Sequence, residues 1–400
     1  SSSSSNGRPA TAPSTLHAAL ASQAPRAEGH RLGAAAATVQ SAAGRDVEQE
    51  IKRFAFMEPT AIPLQELLEL QDMQVCARLL QKELPIRFAH RVAHLDALPH
   101  ISEVPAIQEV RQKFVQSFMN LRQAAEGGVD VRSFTRVIQN LKTNHKNSVM
   151  VVTEGMRQLK EIRVANGMNR ADATIYVDSV LNRFFLGRIG TSMLTSQYMA
   201  LWGSKGRSGI VESGCDPCQL CLRAGAGVAR LAEKEFSPES VPEVKVSYHG
   251  LKEARTLPLI SSYLLYILVE LLKNSFRAVC ETHEASGGAS PPEPIMIRVS
   301  SDVDQVVVQI FDRGGGIPFE HQAHIWSYQY SSKEKARGNC EPSPLAGFGV
   351  GLPLSKLYAE YLGGTLHLMS MPNWGTHAFL FLSRCGRTLH LMIMPNWGTH

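Results

Sequence analysis

Three short stretches constrain the fold of this chain more than any other feature of its sequence. They read ELLKN at 270–274, DRGGG at 312–316 and GFGVGL at 347–352. Each is weak evidence by itself, because glycine clusters are common in loops. Together and in this order, they indicate a nucleotide site in which a helix, the end of a strand and the start of a second helix meet.

The second stretch follows a predicted buried strand. Residues 306–311 are apolar and rich in β-branched side chains, which is typical of such strands. The glycines after Asp312 allow the backbone to turn sharply and to approach a ligand closely. The carboxylate of Asp312 can accept a hydrogen bond from an exocyclic amine such as that of adenine. We therefore predict that adenine binds at the end of this strand.

The third stretch leads into a predicted helix. Pro353 suits the first helical turn, apolar residues follow at helical spacing, and Gly363 and Gly364 end the pattern. The N-terminus of a helix offers free N–H groups and the positive end of the helix dipole to phosphates. We therefore predict that the loop 347–352 wraps the phosphates of a nucleotide.

The first stretch lies on a predicted amphipathic helix. Glu270 and Asn274 are four residues apart, so they share one face and can reach one ligand together. The amide oxygen of Asn274 suits Mg²⁺, and the Glu270 carboxylate can take a proton from an attacking hydroxyl. Lys273 and Arg277 can balance phosphate charge. Taken alone, this stretch also fits an ordinary solvated helix face with charged residues.

These stretches resemble the nucleotide-binding boxes of the GHKL superfamily, which includes histidine kinases, DNA gyrase B and the mitochondrial dehydrogenase kinases. ELLKNSFR at 270–277 and GFGVGLP at 347–353 are similar to the boxes of the last group, the pyruvate and branched-chain α-ketoacid dehydrogenase kinases. Gly375 and Thr376 resemble the last box of the superfamily. The resemblance implies that these residues bind ATP.

The resemblance continues outside the nucleotide-binding region. KELPIR at 82–87 and RFFLGRIG at 183–190 resemble the N-terminal helical domain of the same kinases, and the similar region runs from about 64 to 382. It implies an α+β fold, with an N-terminal antiparallel helical bundle followed by a GHKL-type α/β sandwich. The helical periodicity of the first half of the chain agrees with a bundle.

We expect the chain to divide into four segments. Residues 1–45 are rich in Ser and Ala, with four arginines and one acidic residue. A mitochondrial transit segment and a low-complexity disordered leader both fit this composition, and the resemblance favours the first. We expect the helical bundle at 46–236 and the ATP-binding kinase domain at 243–384. The last 13 residues repeat 365–377 with one difference, so we expect the duplicated tail 385–400 to be unstructured.

The resemblance implies an ATP-dependent protein serine kinase that phosphorylates and inactivates the E1α subunit of the mitochondrial pyruvate dehydrogenase complex. Glu270 is the expected catalytic base and Asn274 the expected Mg²⁺ ligand, and K⁺ is a further implied cofactor. The implied partners are E1α, the lipoyl domain of E2 docked on the helical bundle, and a second copy of the chain, in the mitochondrial matrix. The residues expected to contact ATP are Glu270, Lys273, Asn274, Arg277, Asp312, Gly314, Gly316, Ser331, Ser332, Gly347, Phe348, Gly349, Val350, Gly351, Leu352 and Thr376.

Three other functions stay open. The first is a branched-chain α-ketoacid dehydrogenase kinase, because Tyr266 stands one turn before Glu270, where many pyruvate dehydrogenase kinases have a histidine and branched-chain relatives a tyrosine. Residues 183–190 and the helix after Pro353 favour the pyruvate type instead. A sensor histidine kinase fits less well, because His90 lacks the acidic neighbour of the usual acceptor site. A non-catalytic ATP-binding scaffold would not require Glu270.

Composition and the remaining motifs bear on other classes of protein. The net charge of +5 is modest and gives little support for nucleic-acid binding, and we find no apolar stretch long enough to span a bilayer. Cys215, Cys218 and Cys221 have metal-like spacing but no obvious fourth ligand nearby, so we expect no metal there. No Walker A, His-Arg-Asp or Asp-Phe-Gly motif occurs, so phosphoryl transfer would use the three stretches described above.

Overall fold

Helices come first along the chain and the main sheet follows, as expected for the predicted α+β fold. The described residues from 49 onwards belong to one compact unit. The predicted leader 1–45 and the predicted tail 385–400 lie outside the described residues. The computed structural model describes residues 46–126, 130–205, 208–288, 290–330, 345 and 349–384.

The helices of the first half pack against one another around an aromatic core. The described helices are α1 (46–55), α2 (Leu64–Glu69), α3 (Met73–Asp96), α4 (Pro105–Glu126), α5 (Val131–Asn144), α6 (Ser148–Ala165), α7 (Arg170–Ser204), α8 (Pro217–Ala232), α9 (Ser261–Ala285), α10 (Phe319–Gln322) and α11 (Gly351–Tyr361). Helix α3 contacts α4 and α7, and α6 contacts both α4 and α7. The side chains of Asp72, Asp130 and Asn169 cap α3, α5 and α7 by accepting a backbone N–H of the first turn.

The strands form a two-stranded sheet and a five-stranded sheet. The described strands are β1 (Glu212–Cys215), β2 (Val244–Gly250), β3 (Leu257–Leu259), β4 (Ile295–Ser301), β5 (Gln305–Asp312), β6 (Thr365–Met371) and β7 (Gly375–Ser383). In the small sheet β1 pairs antiparallel with β3. The large sheet has the order β2-β4-β5-β7-β6, with β2 and β4 parallel and the other pairs antiparallel.

The large sheet is covered by helices on one face. Alternate side chains of β5, namely Val306, Val308 and Ile310, are buried, as the period of a strand requires. Helices α8, α9 and α11 contact this sheet, and α9 lies between the other two. The opposite face exposes large apolar side chains, among them Met369 and Met371 of the edge strand β6. The sheet therefore buries one face against its own helices.

The secondary structure confirms most of the sequence-based expectations. The strand predicted at 306–311 is present as β5, which extends one residue beyond that range at each end. Helix α8 begins after Asp216, whose side chain accepts the Cys218 N–H, and it packs against α9 and β2. The small β1–β3 sheet was not predicted, because its strands are short and carry no alternating pattern. Within the described part of the chain, no helix has the length and apolar character needed to cross a membrane.

Candidate functional site

Helix α9 carries the first stretch, and the polar side chains of this stretch lie on the side away from the apolar face of the helix. Leu271 and Leu272 are buried, whereas the Glu270 side chain is 18% exposed. The Lys273 ammonium donates to both Glu270 carboxylate oxygens, at 3.1 and 3.4 Å. Asn274 is exposed one turn beyond Glu270. The predicted base and the predicted metal ligand thus share one accessible face of the helix.

Tyr266 precedes Glu270 by one turn and is partly buried. Burial raises its pKa, and the nearby charge of the Glu270 carboxylate adds to that rise. Its ring packs on that of Tyr358 in α11, with the ring centroids 4.8 Å apart. Tyr266 therefore stays a neutral phenol beside the carboxylate over the physiological pH range.

Asp312 ends β5 and is held by three hydrogen bonds. It is only 4% exposed. Its Oδ2 accepts from the Ser275 hydroxyl at 2.7 Å, and its Oδ1 accepts from the N–H groups of Gly314 and Thr376 at 3.1 and 3.3 Å. Burial raises the pKa of Asp312, and these hydrogen bonds oppose the rise. The carboxylate is thus a fixed hydrogen-bond acceptor at the end of the strand.

The loop after Asp312 approaches two other parts of the chain closely. Gly314 lies against Ala278 of α9, and Gly316 lies against the Met371 carbonyl at the end of β6. Gly316 has φ +68°, a conformation that favours glycine. Any side chain at Gly314 or Gly316 would meet these neighbours, so the glycines allow the loop to lie between α9 and the end of the sheet.

Thr376 lies beside Asp312 on the neighbouring strand, because the two residues pair in the β5–β7 register. Its hydroxyl lies 2.9 Å from that of Ser370, which accepts a hydrogen bond from the Ile317 N–H at 2.7 Å. The predicted adenine residues Asp312 and Thr376 are therefore adjacent, and Ser370 ties them to the glycine loop.

The described part of the third stretch begins α11 and lies against Glu270. A Cβ at Gly351 would lie 2.5 Å from Glu270 Oε2. Val350 is the N-cap residue of α11, and no side chain of the described residues caps this helix start. The first N–H groups of a helix have no partner within it, so this start suits an anion. Gly349, Val350, Gly351 and Leu352 are described, whereas the predicted contacts Ser331, Ser332, Gly347 and Phe348 lie outside the described residues.

Arg277 contacts carboxylates of the protein. Its Nη2 lies 3.7 Å from Glu235 and its Nε lies 4.0 Å from Glu281. Glu235 also accepts a hydrogen bond from the Leu345 N–H at 3.3 Å. The contact of Arg277 with phosphate stays a prediction.

The three cysteines with metal-like spacing are free thiols. Cys215, Cys218 and Cys221 are all buried, and burial raises the pKa of Cys215 to about 11. Over the described ranges, no group of three or more His, Cys, Asp and Glu side chains is placed to hold a metal ion.

Helix α9 is therefore the element that joins the three stretches. It reaches Asp312 through Ser275, the glycine loop through Ala278, and the start of α11 through Glu270. Sequence reasoning missed Ser275 and Ser370. Ser275 carries a detectable signal, because it is a polar residue on the otherwise apolar face of α9 directly after Asn274, but Ser370 carries none.

Comparison with known proteins gives two family matches. Residues 62–214 match the model described as mitochondrial branched-chain alpha-ketoacid dehydrogenase kinase. Residues 260–384 match the model described as histidine kinase-, DNA gyrase B-, and HSP90-like ATPase. The second match contains all the described residues of the three stretches.

Similar proteins include several mitochondrial kinases. The chain is 32% identical to [pyruvate dehydrogenase (acetyl-transferring)] kinase of Arabidopsis thaliana, over 84% of this chain and 93% of that protein. It is 28% identical to isozyme 4 of Homo sapiens, over 84% of each chain. It is 27% identical to isozyme 1 of Mus musculus, over 84% of this chain and 80% of that protein.

Proposed function

Because this chain belongs to the family of mitochondrial pyruvate and branched-chain α-ketoacid dehydrogenase kinases, we propose that it phosphorylates the E1α subunit of the pyruvate dehydrogenase complex on serine and thereby inactivates it. The family consists of ATP-dependent protein kinases. The relatives quoted above are named as mitochondrial pyruvate dehydrogenase kinases.

One observation supports the chemistry most directly: Glu270 lies against Gly351 at the uncapped start of α11. A carboxylate is thereby adjacent to backbone N–H groups that suit phosphate oxygens. A pure binding site has no need of a base at this point. The adjacency therefore favours phosphoryl transfer over a scaffold role.

In the proposed reaction, Asp312 accepts a hydrogen bond from the adenine amine, and the N–H groups at the start of α11 bind the phosphates. Glu270 accepts the proton of the substrate serine as its hydroxyl attacks the terminal phosphorus, and Lys273 holds the Glu270 carboxylate in place. The γ-phosphoryl group passes to the serine oxygen and ADP leaves.

The residues on the accessible face of α9 fit a magnesium ion. The exposed Asn274 offers a neutral amide oxygen, a ligand type that Mg²⁺ accepts while keeping several waters. Bound Mg²⁺ would neutralise charge on the phosphates. K⁺ is proposed on the family resemblance alone.

The branched-chain α-ketoacid dehydrogenase complex is the second candidate substrate. Tyr266 beside Glu270 favours it, as does the family match over residues 62–214. The pyruvate complex is preferred because the relatives named as pyruvate dehydrogenase kinases extend over 84% of the chain, including both halves.

The proposed partners are the lipoyl domain of E2, docked on the helical bundle, and a second copy of the chain. The exposed face of the large sheet supports the second, since Met369 and Met371 are 66% and 65% exposed there. Exposed apolar surface of this kind is typical of protein interfaces. The mitochondrial matrix is the proposed location, because the relatives are named as mitochondrial and the proposed substrate is a matrix complex.

The test is incubation of the purified protein with labelled ATP and each E1 heterotetramer, with and without its E2 core. We expect label in E1α of the pyruvate complex, more with E2 than without it, together with loss of E1 activity. Label confined to the branched-chain E1α would assign the second substrate. Label in neither E1 would contradict the kinase function.

A further inference from the structure

The segment before the third stretch is held by two polar residues of α7, Asp178 and Asn182. Asp178 Oδ2 accepts from the Ser327 hydroxyl at 2.7 Å, and Oδ1 accepts from the Tyr328 N–H at 2.9 Å. The Tyr328 hydroxyl donates to Asn182 Oδ1 at 2.7 Å. Asp178 and Asn182 are four residues apart, so one face of α7 makes all three bonds.

Tyr328 is the centre of this contact. It is 2% exposed, and its ring packs on Phe185 of α7 with the centroids 5.3 Å apart. Burial raises the pKa of Asp178, and its bonds to Ser327 and Tyr328 oppose that rise. Asp178 and Tyr328 are thus partly or wholly withdrawn from water. A hydrogen bond in such a place fixes geometry more strongly than one at an exposed site.

The contact extends from Tyr328 to the third stretch through Gln329. The Gln329 side-chain amide donates to the Thr153 carbonyl of α6 at 2.8 Å. Its backbone N–H donates to the Gly349 carbonyl at 2.9 Å. Gln329 has φ +66° and Gly349 has φ +71°, and a Cβ at Gly349 would lie 2.7 Å from the Gln329 carbonyl carbon. The two backbones are therefore in close contact. The left-handed conformation is unfavourable for Gln329, so the surrounding structure has to hold it, whereas glycine adopts it freely.

Gly349 is two residues before Gly351, which lies against Glu270. Asp178 is thus connected to the phosphate side of the proposed site by one chain of direct contacts, through Tyr328, Gln329 and Gly349. None of these residues belongs to the adenine side, where Asp312 is held by Ser275, Gly314 and Thr376.

We propose that Asp178 is a positioning residue that holds the backbone of Gly349 to Gly351 in the geometry needed to bind the phosphates of ATP. The inference rests on the proposed function, because it assigns this backbone to phosphate. It makes a helix of the bundle a determinant of nucleotide affinity, although α7 contributes none of the three stretches.

The test compares Asp178→Asn with the wild-type chain in calorimetric titrations with ATP and, separately, with adenosine, both with Mg²⁺. We expect the affinity for ATP to fall about tenfold and the affinity for adenosine to change less than about twofold, because only phosphate contacts depend on this backbone. Asp172→Asn is the matched control, since it makes the same change at an exposed position of the same helix. It should leave both affinities unchanged.

Ser327→Ala is the second variant, because it removes one of the two bonds and keeps the carboxylate. We expect a loss of about threefold in ATP affinity and no loss for adenosine. If Asp178→Asn does not fold, the Ser327→Ala variant still tests whether this contact positions the phosphate-binding backbone. Equal losses for ATP and adenosine in the folded variants, or no loss for either, would overturn the inference.

The wild-type titration separates this inference from the proposed function. A wild-type chain that binds no ATP would overturn both. A wild-type chain that binds ATP but labels no E1α would contradict the proposed function, whereas the selective effect of Asp178→Asn on ATP would still establish the positioning role.

Discussion

The two carboxylates of the proposed site, Asp312 and Glu270, are held in very different ways. Asp312 is 4% exposed and accepts hydrogen bonds from α9, from the loop after β5 and from β7. The Glu270 side chain is 18% exposed, and within the described ranges its carboxylate accepts hydrogen bonds from Lys273 of the same helix alone. The adenine side is therefore built into the core, and the phosphate side is left accessible.

This difference matches two different tasks. A carboxylate that recognises adenine has to point in a fixed direction, and three hydrogen bonds from separate elements fix the carboxylate of Asp312. A residue that accepts a proton from a protein substrate, as proposed for Glu270, has to be reached by that substrate, and the Glu270 side chain is partly exposed. Substitutions of Asp312 and its hydrogen-bond partners should therefore change binding and stability together, whereas substitutions of Glu270 and its partner Lys273 should change turnover.

The largest effect is expected for Glu270→Gln, which keeps the shape of the side chain and removes the base. We expect kcat for E1α phosphorylation to fall by about 10³ and ATP affinity to change less than about twofold. Glu284→Gln, at an exposed position of the same helix, is the matched control. Kinase activity retained in Glu270→Gln would exclude Glu270 as the base.

The next effect is expected for Asp312→Ala. Loss of the carboxylate leaves three donors without their acceptor, so we expect about 100-fold weaker binding of ATP and a loss of about 1–3 kcal/mol in the free energy of unfolding. The affinity for adenosine should fall by the same factor as that for ATP, whereas Asp178→Asn should weaken the binding of ATP alone. Asp304→Ala, at an exposed turn position, is the control. Unchanged adenosine binding in Asp312→Ala would mean that adenine does not bind at Asp312.

A smaller effect is expected for Ser275→Ala, which removes one of the three bonds to Asp312 and leaves the carboxylate. ATP and adenosine should each bind about fivefold more weakly, as measured by titration. A change confined to ATP would contradict the assignment of Ser275 to the adenine side.

The smallest effect is expected for Lys273→Met, which removes the donor that orients Glu270. We expect steady-state kinetics to give a kcat about threefold lower, because the carboxylate remains but is less fixed. A loss as large as that of Glu270→Gln would mean that Lys273 itself takes part in the reaction.

The adenine side was the more predictable from the sequence, because local rules determine most of it. Asp312 ends a strand with a clear apolar pattern, and Gly316 occupies a left-handed conformation that the glycine cluster indicates. The Asp312–Thr376 adjacency follows from strand pairing, and the family resemblance supplied the second residue. Ser275 was missed because a buried serine on a helix can have many partners.

The phosphate side was only partly predictable. The shared face of Glu270 and Asn274 follows from helical spacing, but the Glu270–Gly351 contact joins residues 81 positions apart. The contact of Asp178 with Tyr328 joins residues 150 positions apart, and that of Arg277 with Glu235 links α9 to the segment that follows α8. Such pairs depend on tertiary packing, which no local pattern encodes.

Binding of one nucleotide by all three stretches can be measured by hydrogen exchange with and without ATP and Mg²⁺. We expect the amides in 270–277, 312–316 and 349–352 to become protected together, at the same ATP concentration. Protection that leaves out any one of these stretches, or that appears elsewhere instead, would contradict the binding of one nucleotide by all three.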